Sequence, residues 1–268
     1  MDFNSVNGKV VVVTGASKGI GEAIARCYAE HGMKVVCANR DPKRGEEVAE
    51  SIRDAGGDAV FCQTDCSKTE EIKALVDFAV KQYGRLDGIV NDAGIGMGGN
   101  PLHEYEIEDA QRILDLNLKG VFAGMKYAAE AIFQTKAENG FIINVASIAG
   151  LMPQRGQALY TATKSAVVGM TKSAALDYAE YNVTVNAICP GYTDTPIFDG
   201  APDQAKGFFI NDCPAKRMGK PEECAYLALF LASDLARYIN GAAIPIDGAL
   251  SAGSKNVSMW KRPEILNG

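Results

Sequence analysis

The stretch Val10-Val11-Val12-Val13-Thr14-Gly15-Ala16-Ser17-Lys18-Gly19-Ile20-Gly21 decides the fold. Four consecutive valines suit a strand buried on both faces of a parallel sheet rather than one with a solvated side. Over residues 20–31 the apolar positions Ile20, Ala23, Ile24, Cys27 and Tyr28 recur at helical spacing, and Gly32 stands where a left-handed residue closes a helix. Between strand and helix lie three glycines. In that setting the first permits a tight turn, the middle one lets backbone N–H groups approach a pyrophosphate at the positive end of the helix, and the last allows close helix–strand packing.

Outward from this unit the same alternation continues. Short apolar runs predict strands at 34–38, 59–62, 88–90, 141–145, 184–189 and 243–246, and amphipathic stretches predict helices at about 42–55, 69–83, 107–136, 159–181 and 221–231. Strand alternating with helix is the signature of an α/β fold with a doubly wound, seven-stranded parallel sheet and helices on both faces. No Pro-, Ser- or charge-rich linker interrupts the pattern and no solenoid-type repeat is present, so one domain over 1–268 is expected. Two stretches are irregular. Residues 193–219 are a candidate substrate lid, because ligands in such sheets bind beyond the carboxyl ends of the strands. The tail 251–268 carries the single tryptophan, Trp260, and would cover a neighbouring subunit's site, seal an interface or simply trail.

Composition bounds the function. Hydrophobic residues make up 47% and charged residues 22% of the 268 positions, enough apolar material for a sizeable core. The formal charge of −6 opposes a phosphate backbone or an anionic lipid surface as the main partner. No apolar run approaches the roughly 20 residues of a membrane-spanning helix, and Met1-Asp2-Phe3-Asn4 does not lead from a basic into an apolar stretch, so a cytoplasmic protein is expected. Seven cysteines accompany only two histidines, and Cys62 and Cys66 are separated by three residues rather than two; neither a metal site nor a disulfide framework is expected. Cys37, Cys189 and Cys224, with apolar neighbours, read as small buried hydrophobes.

With its strand–glycine–helix setting, Thr14 to Gly21 resembles the short-chain dehydrogenase/reductase family, whose pattern is T-G-x-x-x-G-x-G. Further matches extend over nearly the whole chain: Asn91-Asp92-Ala93-Gly94, Leu116-Asn117-Leu118, the spacing S-x12-Y-x3-K formed by Ser147, Tyr160 and Lys164, and Pro190-Gly191-Tyr192-Thr193-Asp194-Thr195. The resemblance implies a Rossmann-like fold, a nicotinamide cofactor and a homo-oligomer, a tetramer or a dimer. It assigns cofactor contacts to Gly15, Ser17, Lys18, Gly19, Ile20 and Gly21, to Asn39 and Arg40, to Asp65 and Cys66, and to Asn91, Ala93 and Gly94. Further along the chain it assigns them to Tyr160, Lys164, Pro190, Gly191, Thr193 and Thr195. Asp65 would hold the adenine ring and Thr195 the nicotinamide carboxamide. Asp92 departs from the family's N-N-A-G, and an ionised carboxylate accepts hydrogen bonds but cannot donate them.

Charge argues for one form of the cofactor. The second strand usually ends in an acid where a free ribose hydroxyl is held, and such an acid would repel a 2′-phosphate. Here that place is Asn39, followed by Arg40, whose guanidinium suits a phosphate, and Lys18 is a second cation. NADP(H) is favoured, with NAD(H) the alternative. Asp41 reads instead as an N-cap before Pro42.

Tyr160 and Lys164 are four apart on a predicted helix and so share a face, and Ser147 follows directly on a buried strand. The chemistry needs these types. A ketone that accepts hydride becomes an alkoxide and needs a proton, which a phenol can supply. The reverse reaction needs a phenolate near neutrality, and a cation about 5 Å away stabilises one by roughly 3 kcal/mol at an effective dielectric near 20. A serine hydroxyl would donate to the developing oxyanion. By resemblance Lys164 also holds the nicotinamide ribose, and Asn117 fixes a water that passes protons to solvent. Each residue alone has an ordinary structural reading: core for Tyr160, a cap for Ser147, a kink amide for Asn117, and a turn former for Asp65.

The expected pocket lining is Ile95, Met97, Ile148, Leu151, Met152, Tyr192, Ile197, Phe198, Phe208 and Phe209, mostly apolar, with Arg155 and Lys206 leaving room for an anionic substrate. The whole reads as an NADP(H)-dependent oxidoreductase interconverting a ketone and a secondary alcohol on a largely apolar small molecule such as a hydroxysteroid. The alternatives are an NAD-dependent member of the family or a 3-oxoacyl-thioester reductase. Outside that class stand a sugar-nucleotide epimerase, which usually has a longer chain and other glycine spacing, and a dinucleotide-sensing regulator, which should have lost Tyr160 or Lys164.

Overall fold

The computed structural model describes residues 3–96, 99–196 and 203–253. Met97, Ile197, Phe198 and Trp260 lie outside them. Seven strands, β1 (Val10–Thr14), β2 (Lys34–Asn39), β3 (Asp58–Gln63), β4 (Gly88–Asn91), β5 (Gly140–Val145), β6 (Val183–Pro190) and β7 (Ala243–Ile246), form one sheet in the order β3-β2-β1-β4-β5-β6-β7. Every pairing is parallel. The valine run explains itself here: Val11 and Val13 enter one core and Val10 and Val12 the other, so no position in the strand is left for a polar side chain.

Helices cover both faces. On one side the core takes in α1 (Gly19–Glu30), α2 (Pro42–Asp54) and α8 (Pro221–Ala232); on the other it takes in α3 (Thr69–Tyr83), α5 (Val121–Gln134) and α6 (Ala158–Tyr178). Asp41 caps α2 as its sequence suggests, its carboxylate accepting from the amides of Lys43 and Arg44 at 3.1 and 3.2 Å.

Two elements differ from the sequence reading. The single helix expected over 107–136 is divided into α4 (Ile107–Leu114), a π-helical turn Asp115–Gly120, and α5. Gly120 packs so tightly on the Cys66 carbonyl that a Cβ there would overlap it, and the widened turn lets Asn117 reach the loop after β4. Inside the irregular stretch 193–219 lies α7 (Asp203–Asp212), whose Gly207 and adjacent Phe208-Phe209-Ile210 hide any helical period.

A buried polar chain ties the sheet to the second face. Asn91 Nδ2 donates to Asn144 Oδ1 at 2.9 Å, and Asn144 Nδ2 donates to Thr171 Oγ1 at 2.9 Å. Gly124 on α5 faces this chain, and a Cβ there would fall on Asn91 Oδ1. Gly124→Ala should therefore destabilise the fold by about 1–3 kcal/mol, the usual range for overpacking. Urea unfolding of the two proteins checks this, and equal midpoints would show that the chain yields without cost.

Candidate active site

The sheet reverses its winding between β1 and β4, and a cavity of about 710 Å³ opens there beyond the carboxyl ends of β1, β4, β5 and β6. Its walls bring together Lys18, Gly19 and Ile20 from the glycine loop, Asp92 and Gly94 after β4, Ser147 after β5, Tyr160 and Lys164 on α6, and Pro190, Gly191, Thr193 and Thr195 after β6.

In the glycine loop Gly15 and Gly19 take φ of +73° and +62°, a region that favours glycine. A Cβ at Gly21 would lie 2.5 Å from the Gly15 carbonyl oxygen, so the loop closes on the start of α1 only with glycine there. Thr14 fastens the loop to the neighbouring strand, its Oγ1 accepting from the amides of Asp92 and Ala93 at 3.0 and 3.1 Å. Thr195 stands across from Gly19, with its Cβ 3.4 Å from where a Gly19 Cβ would be. Ser17 is half-buried in the loop.

At the end of β2, Asn39 is buried. Its Oδ1 accepts from the Asp41 amide at 2.6 Å, while Nδ2 has no partner. Lys18 and Arg40 are exposed, and among the described residues neither cationic head makes a hydrogen bond or ion pair. Asp65 forms a turn: its Oδ1 accepts from the Ser67 amide at 3.0 Å and hydroxyl at 2.8 Å. Burial pushes its carboxyl up, but those bonds together with the charges of Arg40 and Lys68 hold it below the usual range. Cys66, Asn91 and Ala93 line a separate, small crevice with Leu116 and Val121.

Three side chains converge on the cavity floor. Lys164 is 5% exposed, its Nζ donating to the Val145 carbonyl at 2.8 Å and lying 5.6 Å from the Tyr160 ring centre. Ser147 Oγ accepts from the Ala149 amide at 3.1 Å, which leaves its O–H free to donate. The turn Ile148–Gly150 seats on α6 because a Cβ at Gly150 would lie 2.7 Å from the Lys164 carbonyl oxygen. Asn117 is fully buried and both ends of its amide hold the Ile95 backbone, at 2.9 and 2.8 Å, so its side chain anchors the cavity wall.

Asp92 has the most altered chemistry. Its Oδ2 lies 3.0 Å from a Cβ position at Gly15 and 2.6 Å from one at Gly21, enclosed by the loop. Burial pushes its carboxyl up from 3.8 to about 7, opposed by the Lys164 charge and a hydrogen bond from the Gly21 amide. A raised folded-state value means that the folded protein keeps a proton the unfolded chain releases. The associated stability is present below about pH 4 and is lost as pH rises through 7. Asp92→Asn should therefore stabilise the protein at pH 8 by up to roughly 4 kcal/mol, with the gain shrinking towards pH 4. Chemical unfolding at pH 5 and pH 8 checks this, and a pH-independent difference would show that the charge is not the cause.

Four of the expected lining residues, Ile95, Ile148, Tyr192 and Phe209, do line the cavity; Leu151, Met152 and Phe208 do not. Gln154 and Gln157 line it without having been anticipated, since no motif distinguishes them from surface amides, and Arg155 between them points elsewhere. Thr14 and Gly150 were likewise missed as positioning residues, because their roles arise from packing across elements distant in sequence.

Residues 15–251 match the family model described as enoyl-(acyl carrier protein) reductase. The chain is 39% identical over 245 residues to the cis-4-hydroxycyclohexanecarboxylate dehydrogenase of Sinomonas cyclohexanicum, covering 91% of this chain and 97% of that one. It is 40% identical over 252 residues to the 3beta-hydroxysteroid dehydrogenase 1 of Eggerthella lenta, covering 93% and 96%. A putative gluconate dehydrogenase from Agrobacterium tumefaciens superposes with a TM-score of 0.87 at 30% identity, covering 93% of this chain and 98% of that one. With the parallel sheet and the converging Ser147, Tyr160 and Lys164, these likenesses mean that the chain belongs to the short-chain dehydrogenase/reductase family, whose members use a nicotinamide dinucleotide. The glycine cradle at 15, 19 and 21 and the orphaned Asn39 Nδ2 fit such a group. No helix among the described residues is long and apolar enough to cross a membrane, and none of their His, Cys, Asp and Glu side chains cluster as a metal site.

Proposed function

We propose that this protein interconverts a secondary alcohol and a ketone on a largely apolar small molecule, with NADP(H) as cofactor, Ser147, Tyr160 and Lys164 as catalytic residues and Asn117 as a positioning residue. The observation that carries the reading is the placing of Tyr160, its cation Lys164 and the free Ser147 hydroxyl on the floor of one cavity beside the glycine loop. A nicotinamide dinucleotide held by the glycine loop would supply the acceptor or donor for the hydride of the carbinol carbon. Tyr160 takes the hydroxyl proton during oxidation and gives it back during reduction. Lys164, with its Nζ 5.6 Å from the Tyr160 ring centre, is the cation beside this phenol. Ser147 donates to the oxygen as negative charge builds on it, and Asn117 holds the Ile95 wall in place.

The cofactor form rests on Arg40 and Lys18, two exposed cations without hydrogen bonds or ion pairs among the described residues, and on Asn39 standing where a carboxylate would repel a 2′-phosphate. Glycine-loop contacts, Thr195 at the carboxamide and Asp65 near the adenine complete its binding. The protein works in the cytoplasm as one domain whose 193–219 segment is the substrate lid. Exposed Leu102, Ile107, Phe122 and Leu176 around α4, α5 and α6, and Tyr226 and Tyr238 at the far edge, favour a homo-oligomer, most simply a tetramer. Mixing the enzyme with oxidised cofactor and a panel of steroid, alicyclic and aryl secondary alcohols tests the reading. Growth of the reduced-nicotinamide band with at least one of them is expected, and tight cofactor binding without turnover of any would favour a regulator.

A further inference from the structure

The cavity has two chemically distinct substrate walls. One, from the segment after β6 and from α7, is aromatic: the Tyr192 and Phe209 rings lie 4.7 Å apart between centres. The Tyr192 hydroxyl is engaged with Asp212 Oδ2 at 3.0 Å, and burial with that carboxylate pushes the phenol up to about 12, so this wall offers ring surface rather than a free polar group. The other wall is the segment leading into α6, where Gln154 and Gln157 line the cavity. Neither side-chain amide makes a hydrogen bond within the described protein, and Gln157 as the residue before α6 does not cap it.

The backbone carrying these amides is held firmly. The Gly156 carbonyl accepts from the Tyr105 hydroxyl at 2.7 Å and from the Gly99 amide at 2.9 Å, and the Gln157 amide closes a turn on the Gln154 carbonyl at 3.2 Å. Gln157 stands three residues before Tyr160, at the N-terminal boundary of the same helix. Among the described residues no cation serves this wall: Lys206 is paired with Asp194 at 3.4 Å, Arg155 is exposed outside the cavity, and the two lysines that line the cavity belong to the glycine loop and the Tyr160 pair.

We infer that Gln154 and Gln157 form a neutral amide subsite for a second oxygen of the substrate, which makes the preferred substrate an uncharged diol or hydroxyketone whose apolar body packs on Tyr192 and Phe209. The inference rests on the dehydrogenase reading. A site built to hydrogen-bond a hydroxyl discriminates against the analogue lacking it, because its own polar groups are then left unpaired.

The test compares kcat/KM for cyclohexane-1,4-diol, cyclohexanol and 4-hydroxycyclohexanecarboxylate in the wild type, Gln154→Leu, Gln157→Leu and the double variant. Both side chains are partly exposed, and a melting temperature for each variant monitors folding. The expected wild-type preference for the diol over cyclohexanol is about tenfold or more, with the carboxylate below the diol, and the double variant should bring the diol ratio to within about twofold of unity. A wild-type ratio near one, a ratio that survives both substitutions, or preference for the carboxylate overturns the subsite. Failure of all three compounds while another alcohol is oxidised also overturns it and leaves the dehydrogenase reading standing. Failure of every alcohol overturns both.

Discussion

Replacing Tyr160 with phenylalanine should lower kcat by about 10²- to 10⁴-fold, the usual weight of a positioned acid–base group, while cofactor affinity stays nearly the same. The substitution removes one hydroxyl and keeps the ring that lies 5.6 Å from Lys164. Lys164 remains tied to the Val145 carbonyl at 2.8 Å, so the cavity floor should not rearrange. Steady-state turnover and a fluorescence titration with reduced cofactor separate the two effects. Retained turnover would remove Tyr160 from the proton path, and a parallel loss of cofactor binding would mean that its role is structural.

Arg40→Asp should change the preference between NADPH and NADH by about 10²-fold or more in favour of NADH. On the proposed NADP(H) reading it would remove charge-assisted hydrogen bonds to the 2′-phosphate, each worth roughly 1.5–3 kcal/mol, and put a carboxylate in their place. Among the described residues the Arg40 guanidinium makes no hydrogen bond or ion pair, although its charge favours the ionised Asp65, and its backbone carbonyl accepts from Gln63 Nε2 at 3.2 Å. Lys18 stays and should leave some NADPH activity. The ratio of kcat/KM for the two cofactors reports the change directly, and an unaltered ratio would show that no 2′-phosphate is held at this position.

Much of the fold was legible because a sheet covered on both faces writes itself as uninterrupted apolar runs, as in Val10 to Val13, and because the connecting helices keep a regular period. Of the cavity walls, the glycine loop was legible for a related reason, because its tight turn needs positive φ at Gly15 and Gly19, whereas Ser147 and Gly191 were read from the family resemblance. What local pattern does not encode was missed. The π-helical turn around Asn117 depends on the approach of Gly120 to the Cys66 carbonyl, a contact between segments far apart in sequence. Helix α7 lacks an amphipathic period, and the side chain of Asn91 turns to Asn144 in the sheet rather than to the cavity. Asp92 was visible as a departure from a pattern, but its shift to about 7 follows from enclosure by the glycine loop. Gln154 and Gln157 became candidates only when the cavity showed them without partners.

The central claim is hydride transfer at the cavity floor assisted by Tyr160, and a carbinol-deuterated secondary alcohol tests it most directly. With the wild-type enzyme and oxidised cofactor, the label should be recovered in the reduced cofactor, with none recovered in a parallel reaction of Tyr160→Phe on the same timescale. Reduced cofactor without label, or equal labelling by the Tyr160→Phe enzyme, would contradict the account.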